Sequence, residues 1–328
     1  PNNIYRLILA YLLWSETEYK KFEEFQGIKV ADIITKLKKG TVPTKAFEHS
    51  IPDWLVETLE KELGENWEKE MIALNEQAPT ILRANSLKTS TKHLIEELKH
   101  ENVESFQVPG FENAVQLEEK KNVFLTSAFK DGFFEVQDAG SQKIGEFLDV
   151  KPGMRVVDAC AGAGGKTLHL AALMENKGQI IAMDIHGWKL AELKRRAKRA
   201  GAHNIETREI TDNKVIKRLH EKADRLLIDA PCSGLGVLKR NPDSKWKIDQ
   251  DFIDRIRKEQ ETILQDYSKI IKKGGKMVYA TCSILPSENN EQVQNFLKNN
   301  SDFKLVKEEK VMPSTGFDGF YMALIERV

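Results

Sequence analysis

Chemistry in this 328-residue chain concentrates in a few residue types at the ends of apolar runs. The chain has three cysteines, Cys160, Cys232 and Cys282, and two of them have matched surroundings. Cys232 follows an apolar run, an Asp and a Pro in LLIDAPCSGLG (226–236). Cys282 follows another apolar run in YATCSILPSE (279–288). Three readings of the pair stay open. Free cysteine is among the most buried residue types, so each thiol can be a small core residue. Two thiols at neighbouring strand ends can also lie within disulfide range. A thiol can also serve as an activated nucleophile.

A second chemical feature lies upstream. VVDACAGAGGKTLHLA (156–171) reads as a strand, a turn with Gly162, Gly164 and Gly165, and a helix. Glycines let the backbone approach a ligand, and a helix N-terminus offers unpaired N–H groups. A P-loop requires GxxxxGK[ST]. Gly165-Lys166-Thr167 fit, but the first glycine position holds Cys160. The dinucleotide pattern GxGxxG is not met. The remaining ligand reading is a nucleoside turn for S-adenosylmethionine, with Asp158 before it; a structural glycine turn also stays open. Asp184 ends the next strand, about 20 residues on, where such folds use an acid on ribose hydroxyls. Asp212, after the third strand, is a candidate acceptor for the adenine amino group. Each also reads as an ordinary strand-end or turn acid.

Asp229-Ala230-Pro231-Cys232 ends a later strand. Amino-methylating enzymes of this architecture place (D/N)PP(Y/F) there, with a ring to stack on the base. A thiol in place of the ring points to a carbon target. C5 of a pyrimidine is a poor nucleophile until a thiolate adds at C6 and makes it enamine-like. An acid near N3 and the exocyclic amine would favour that adduct, and Asp229 is a candidate for it. A second cysteine can assist elimination.

Stepping outward, strand and helix patterns alternate from residue 151: MRVVDAC, GQIIAMDI, IETREI, ADRLLIDA, KMVYATCS, FKLVKEE and GFYMALIERV as strands, with helices between. A helix is expected over about 250–272, leading through KKGG into KMVYATCS. Apolar strands alternating with helices predict an α/β, Rossmann-like domain with a mostly parallel, doubly wound sheet. Before it, residues 1–75 read as helices, including IPDWLVETLEKELG. Residues 76–148 read as a small α+β module. The expected division is therefore 1–75, 76–148 and 149–328.

Composition is ordinary for a globular chain, with 30% charged and 41% hydrophobic residues. LILAYLLW (7–14) is too short to span a membrane, and no cleavage site follows it. The chain begins with Pro1, consistent with processing or trimming. Three cysteines without CxxC spacing form neither a disulfide framework nor a metal site, which points to a reducing, cytoplasmic setting. Net charge is zero, but residues 1–150 carry −8 and residues 151–328 carry +8. An anionic partner is expected mainly at the second half. Lys194, Arg195, Arg196, Lys198 and Arg199 share one helix, where a solvated face competes with phosphate contact. Lys239, Arg240, Lys245 and Lys247 follow the Cys232 turn, and there RNA contact is expected.

DACAGAGGKT, AMDIHGWKL, IDAPCSGLGVLKRNPDSKWK, YATCSILPSENN and GFDGFYMALIE together resemble the RNA cytosine-5 methyltransferase family, the Sun or Fmu family that includes the bacterial small-subunit ribosomal RNA enzyme. IPDWLVETLEKELG, LRANSLKTS and VQDAGSQ also fit, so the resemblance covers roughly residues 50–328. It implies S-adenosylmethionine as cofactor and RNA as substrate, ribosomal RNA first and tRNA as the alternative, in a monomer without membrane contact. It implies Cys282 as the nucleophile at C6, Cys232 as the group assisting product release, and Asp229 at the cytosine or the methionine moiety. Lys166 is placed near the base. Cys160, Ala161, Gly162, Ala163, Gly164, Gly165 and Lys166 form the cofactor turn, with Asp184 at the ribose and Asp212 at the adenine. Arg83 and Asn85, in LRANSLK, read as structural members of a small RNA-binding module. The family commonly has Ala-Pro where this chain has Gly162-Ala163. The residues before 50 leave room for only a remnant of the helical domain that relatives often carry there. Outside this class, a P-loop-like nucleotidase and a non-catalytic RNA-binding or redox-sensing protein are the competing readings.

Overall fold

The computed structural model describes residues 8–13, 28–38 and 44–328. The expectations for Pro1, for both ends of LILAYLLW and for the rest of the first 43 positions lie outside the described residues. The chain divides into two compact units, Pro1–Ser50 and Ile51–Val328. Within the first, residues 8–13, Val30–Lys38 and Lys45–Glu48 are helical. Among the described residues no helix is long and apolar enough to cross a membrane.

The second unit opens with α1 (Asp53–Leu63) and α2 (Trp67–Asn75). Pro52 precedes α1 with extended backbone, and Gly64 ends it at φ +58, a conformation that glycine adopts without a Cβ penalty. Leu55 and Leu59 of α1 and Trp67 and Met71 of α2 share a core with Leu235, Ile284 and Leu285. This helical pair therefore packs on the segments that follow both Cys232 and Cys282.

A four-stranded antiparallel sheet comes next, in the order β2-β3-β1-β4: β1 (Ile81–Ala84), β2 (Ser105–Gln107), β3 (Ala114–Leu117) and β4 (Phe134–Val136). One helix, α3 (Thr91–His100), packs on it through buried Leu94 and Leu98; Ser90 caps its start, accepting from His93 N.

The large sheet has seven strands: β5 (Arg155–Asp158), β6 (Gln179–Asp184), β7 (Ile205–Glu209), β8 (Ala223–Asp229), β9 (Ile271–Thr281), β10 (Phe303–Val311) and β11 (Phe320–Arg327). Their order is β10-β11-β9-β8-β5-β6-β7. β5 to β9 pair in parallel, while β11 runs antiparallel to both neighbours. Alternation sorts the central strands between two cores. Leu227, Val278 and Ala280 face one layer, with α4 (Ala139–Phe147), α5 (Gly165–Leu173) and α6 (Gly187–Ala200). Leu226, Ile228, Met277 and Tyr279 face the other, with α7 (Gln250–Tyr267) and α8 (Asn290–Asn299). Strands buried on both faces have no polar alternation, which is why they read as continuous apolar runs.

One boundary differs from expectation. α7 ends at Tyr267 rather than near 272, and KKGG lies within β9. Buried Ile271 pairs with Ala223 of β8, and an irregularity separates that pair from Arg225↔Lys276. Gly274, at φ +76, accommodates the detour.

Candidate active site

Strand order reverses at β5, which lies between β6 and β8, and open α/β sheets bind ligands in the crevice beyond such a switch point. The carboxyl ends of the strands bring Asp158, Asp184, Asp229 and Thr281 to one rim. The glycine turn leaves β5 and enters α5, with Gly162 at φ +54 and Gly164 at φ +87. A cavity of about 260 Å³ opens there, lined by Gln137, Ser141, Asp158, Cys160 to Ala163, Gly165, Lys166 and Asp229. No heavy atom lies within 4 Å of where a Cβ on Gly162 or Gly165 would stand. Asp158 is fully buried; its Oδ2 accepts from Thr167 at 2.7 Å, while Oδ1 has no partner. Burial, partly offset by the Thr167 hydrogen bond and reinforced by the Asp229 charge, lifts its carboxyl to about 7. An open glycine cradle with an unpaired buried carboxylate oxygen fits a ligand that brings hydrogen-bond donors.

Asp184 holds the turn. Its Oδ2 accepts from Gly162 N at 2.8 Å and its Oδ1 from His186 N at 2.8 Å. Asp212 sits at the same rim beyond β7, exposed and outside the cavity lining; it caps a short helix by accepting from Lys214 N at 2.7 Å. Lys166 Nζ donates to Asp229 Oδ2 at 2.8 Å and lies 5.7 Å from the Phe320 ring centre. Burial opposes the Lys166 charge, but the Asp229 carboxylate outweighs it and holds the ammonium above the usual lysine value. Burial pushes the Cys160 thiol well up, with Asp229 adding to the effect.

Cys232 and Cys282 are both free thiols, and their sulfurs approach to 3.2 Å. The backbone joins the two loops as well, Gly236 N donating to Cys282 O at 2.9 Å. The hydrogen bond from Cys282, and burial after it, push Cys232 well above the ordinary thiol range. At this separation the protons belong to the pair. Cys232 therefore keeps its proton beyond the ordinary thiol range.

Further residues position the turn. Gln137 and Ser141 line the cavity and join through Gln137 Nε2 to Ser141 Oγ at 3.1 Å. Arg83, buried on β1, donates to Gly165 O at 2.8 Å and also to Gln137 Oε1. Asn85 donates to Gly132 O and Ala200 O, both at 2.8 Å. Both residues therefore tie the small sheet to the large domain. Buried Glu288 and Gln260 lie behind the thiols. The two cysteines open the same short pattern, Cys-Ser-x-Leu, at 232–235 and 282–285, but nothing local in the sequence marks Glu288 or Gln260.

The cations of the expected RNA face at 239–247 all have partners within the chain. Lys239 Nζ donates to Phe317 O at 2.9 Å. Arg240 pairs with Asp318 at 2.5 Å and Asp138 at 3.0 Å. Lys245 is buried and donates to Asn75 Oδ1 at 2.9 Å, and Lys247 pairs with Asp243. Each cation has an internal partner, three of them far along the chain. The 194–199 cluster also divides. Arg196 and Arg199 turn inward to buried Glu135, at 2.8 and 2.5 Å, while Lys194, Arg195 and Lys198 face solvent, with Arg195 paired to Glu192.

A parallel sheet with one antiparallel strand next to its edge, and a glycine turn bordering a cavity after β5, defines the Rossmann-like methyltransferase fold. Known proteins narrow the class. A model described as 16S rRNA methyltransferase RsmB/F matches residues 146–325, and an RsmF/B-like ferredoxin-like domain matches residues 51–124. The chain belongs to the RsmB/F family. It is 36% identical over 290 residues to the probable ribosomal RNA small subunit methyltransferase B of Synechocystis, covering 87% of this chain and 63% of that protein. It is 34% identical over 261 residues to the counterpart of Bacillus subtilis, covering 79% and 58%. The chain thus spans about three fifths of the length of these relatives. The solved structure of PH0851 is similar at 29% identity and a TM-score of 0.83, covering 98% of this chain and 76% of that one. A methyltransferase homologue from Pyrococcus horikoshii is similar at 26% identity and a TM-score of 0.77, covering 87% and 98%.

Proposed function

We propose that this chain methylates C5 of a cytosine in RNA, with ribosomal RNA as the substrate to which its family points. The observation that carries the reading is the pair of free thiols 3.2 Å apart at the ends of β8 and β9, beside the Lys166–Asp229 pair.

S-adenosylmethionine supplies the methyl group. The glycine turn from Cys160 to Lys166 holds it, with Asp184 at the ribose, Asp212 at the adenine and Asp229 toward the methionine end. The Cys282 thiolate forms a bond to C6 of the cytosine, and electron density moves to C5. Asp229, paired with Lys166 at 2.8 Å, accepts from the exocyclic amine and orients the base. After transfer the C5 proton leaves to a base, the C5–C6 double bond reforms and the Cys282–C6 bond breaks. A Cys232 that keeps its proton is a poor attacker; it is not the base that takes the C5 proton, but at 3.2 Å it can donate to the Cys282 sulfur as that sulfur departs as thiolate, which supports the division of labour between the two sulfurs. The base must be single-stranded or turned out of its stack to admit a thiol at C6. The module over 76–148 serves as the RNA-binding part, and the protein acts as a cytoplasmic monomer.

RNA carrying 5-fluorocytidine has no removable C5 proton and is expected to trap a covalent complex through Cys282. Trapping that survives in Cys282→Ala overturns the assignment of the nucleophile. No trapping and no methyl transfer by the wild-type chain overturns the reading.

A further inference from the structure

The two thiols are held by one buried carboxylate that the chemistry above does not use. Glu288 is fully buried, and an ionised carboxylate offers about four acceptor sites. Four donors fill them. Oε2 accepts from Ser233 N at 2.8 Å and Gln260 Nε2 at 3.0 Å. Oε1 accepts from Ser233 Oγ at 2.5 Å and Ser283 Oγ at 2.6 Å. Among the described residues no cation pairs with it.

Those donors adjoin the thiols. Ser233 follows Cys232 and Ser283 follows Cys282. Each hydroxyl has one proton and spends it on Glu288, so each oxygen remains an acceptor. Ser233 Oγ accepts from Leu235 N at 3.4 Å, and Ser283 Oγ accepts from Leu285 N at 3.1 Å. Both loops are thus the same serine turn, and a single carboxylate joins them. Gln260 extends the hold by donating to Pro231 O at 2.9 Å, one residue before Cys232. Glu288 is itself anchored, since its carbonyl accepts from Tyr279 Oη of β9 at 2.8 Å.

We propose that Glu288 is the positioning residue that sets the spacing of Cys232 and Cys282, and that it thereby couples attack at C6 to release. The second half of this statement rests on the function proposed above; the first does not. A buried carboxylate with three of its four hydrogen bonds made to the two cysteine turns, and the fourth to Gln260, has a geometric role that packing alone does not require. Loss of one shared acceptor frees both turns at once, whereas loss of either serine frees one.

The test is a pH titration of thiol alkylation on reduced protein, without RNA or cofactor, read separately for the Cys232 and Cys282 peptides. At 3.2 Å the wild-type pair is expected to titrate in two steps more than about one pH unit apart. Glu288→Gln, and the double variant Ser233→Ala/Ser283→Ala that keeps the charge, are expected to bring the steps to within about one unit. Glu62→Gln is the control. Glu62 accepts from Ser287 N at 3.0 Å and Ser287 Oγ at 2.8 Å, and touches neither serine turn. It is expected to lower stability and leave the steps apart. Unchanged separation in both test variants, or equal loss in Glu62→Gln, overturns the proposal. If Glu288→Gln does not fold, the serine double variant decides. A second arm measures adduct formation on 5-fluorocytidine RNA per folded molecule, expected to fall about tenfold or more in Glu288→Gln. A wild-type chain that fails to methylate sinks the proposed function and leaves the titration result standing.

Discussion

The glycine turn and the thiol loops meet at one rim, yet they are held by opposite charges. Guanidinium groups hold the turn through its carbonyls: Arg83 donates to Gly165 O and Arg196 to Ala163 O, both at 2.8 Å. A carboxylate, Glu288, holds the thiol loops through an N–H and two hydroxyls. The difference follows from what each loop must present. A turn that offers N–H groups to a ligand leaves its carbonyls to the scaffold, and carbonyls need donors. Loops that present sulfur can be held through their neighbours, while the hydrogen bond from Cys282 and burial, with Glu288 adding a smaller effect, keep a proton on Cys232. Buried Glu135 balances the cations behind the turn. Burial pulls Arg83 down to about 9 against the pull of that same carboxylate.

The sharpest way to break this contrast is at sulfur. Cys282→Ala is expected to reduce methyl transfer by about 10⁴-fold or more, measured as single-turnover transfer of labelled methyl to RNA. Cys232→Ala is expected instead to accumulate covalent RNA on a denaturing gel. Equal behaviour of the two variants would dissolve their separate roles.

At the turn, Arg83→Met removes the donor to Gly165 O and unbalances Glu135. Affinity for S-adenosylhomocysteine is expected to fall by about 10- to 100-fold, or about 1.4–3 kcal/mol. Calorimetry checks this, and the Cys232 and Cys282 titration should stay as in wild type. If thiol titration moves as much as cofactor affinity, the two regions are not held independently.

The glycines separate conformation from crowding. At Gly164, φ is +87 and a Cβ would stand 2.5 Å from Leu193 Cγ. Gly164→Ala is therefore expected to lose about 2–4 kcal/mol of stability. Gly162→Ala meets only open space at φ +54 and should lose about 1–2 kcal/mol. Urea midpoints for the two variants test the ranking.

The smallest effect is on pH dependence. The Asp158 carboxyl is raised from 3.8 to about 7 on folding. The folded state therefore holds this proton more tightly. The stabilisation is complete below about pH 4 and is lost as pH rises through about 7, with a slope of at most about 1.4 kcal/mol per pH unit. Asp158→Asn should flatten that part of the profile. An unchanged difference in urea midpoint between pH 5 and pH 8 would show that Asp158 titrates as an ordinary carboxylate.

Much of the sheet was legible because apolar runs, glycine turns and helix caps are local signals. Gly201 ends α6 in the left-handed region, and Ser90 caps α3, as their types suggest. Glu288 was not legible. In PSENN it looks like the solvated start of a helix, and only Ser233, 55 residues away, and Gln260, 28 away, make it a buried hub. Lys245 misled for the same reason, since Asn75 lies 170 positions from it.

By itself, the sequence determined the alternation of strands and helices, the glycine turn at the end of β5, and the presence of two thiols in matched turns. These depend on residue type and near neighbours. Tertiary structure alone decided that the sulfurs stand 3.2 Å apart, that Lys166 meets Asp229, and which cations are left for a partner. Those outcomes depend on groups far apart in the chain, because a buried charge must find its partner wherever folding brings one within hydrogen-bond reach.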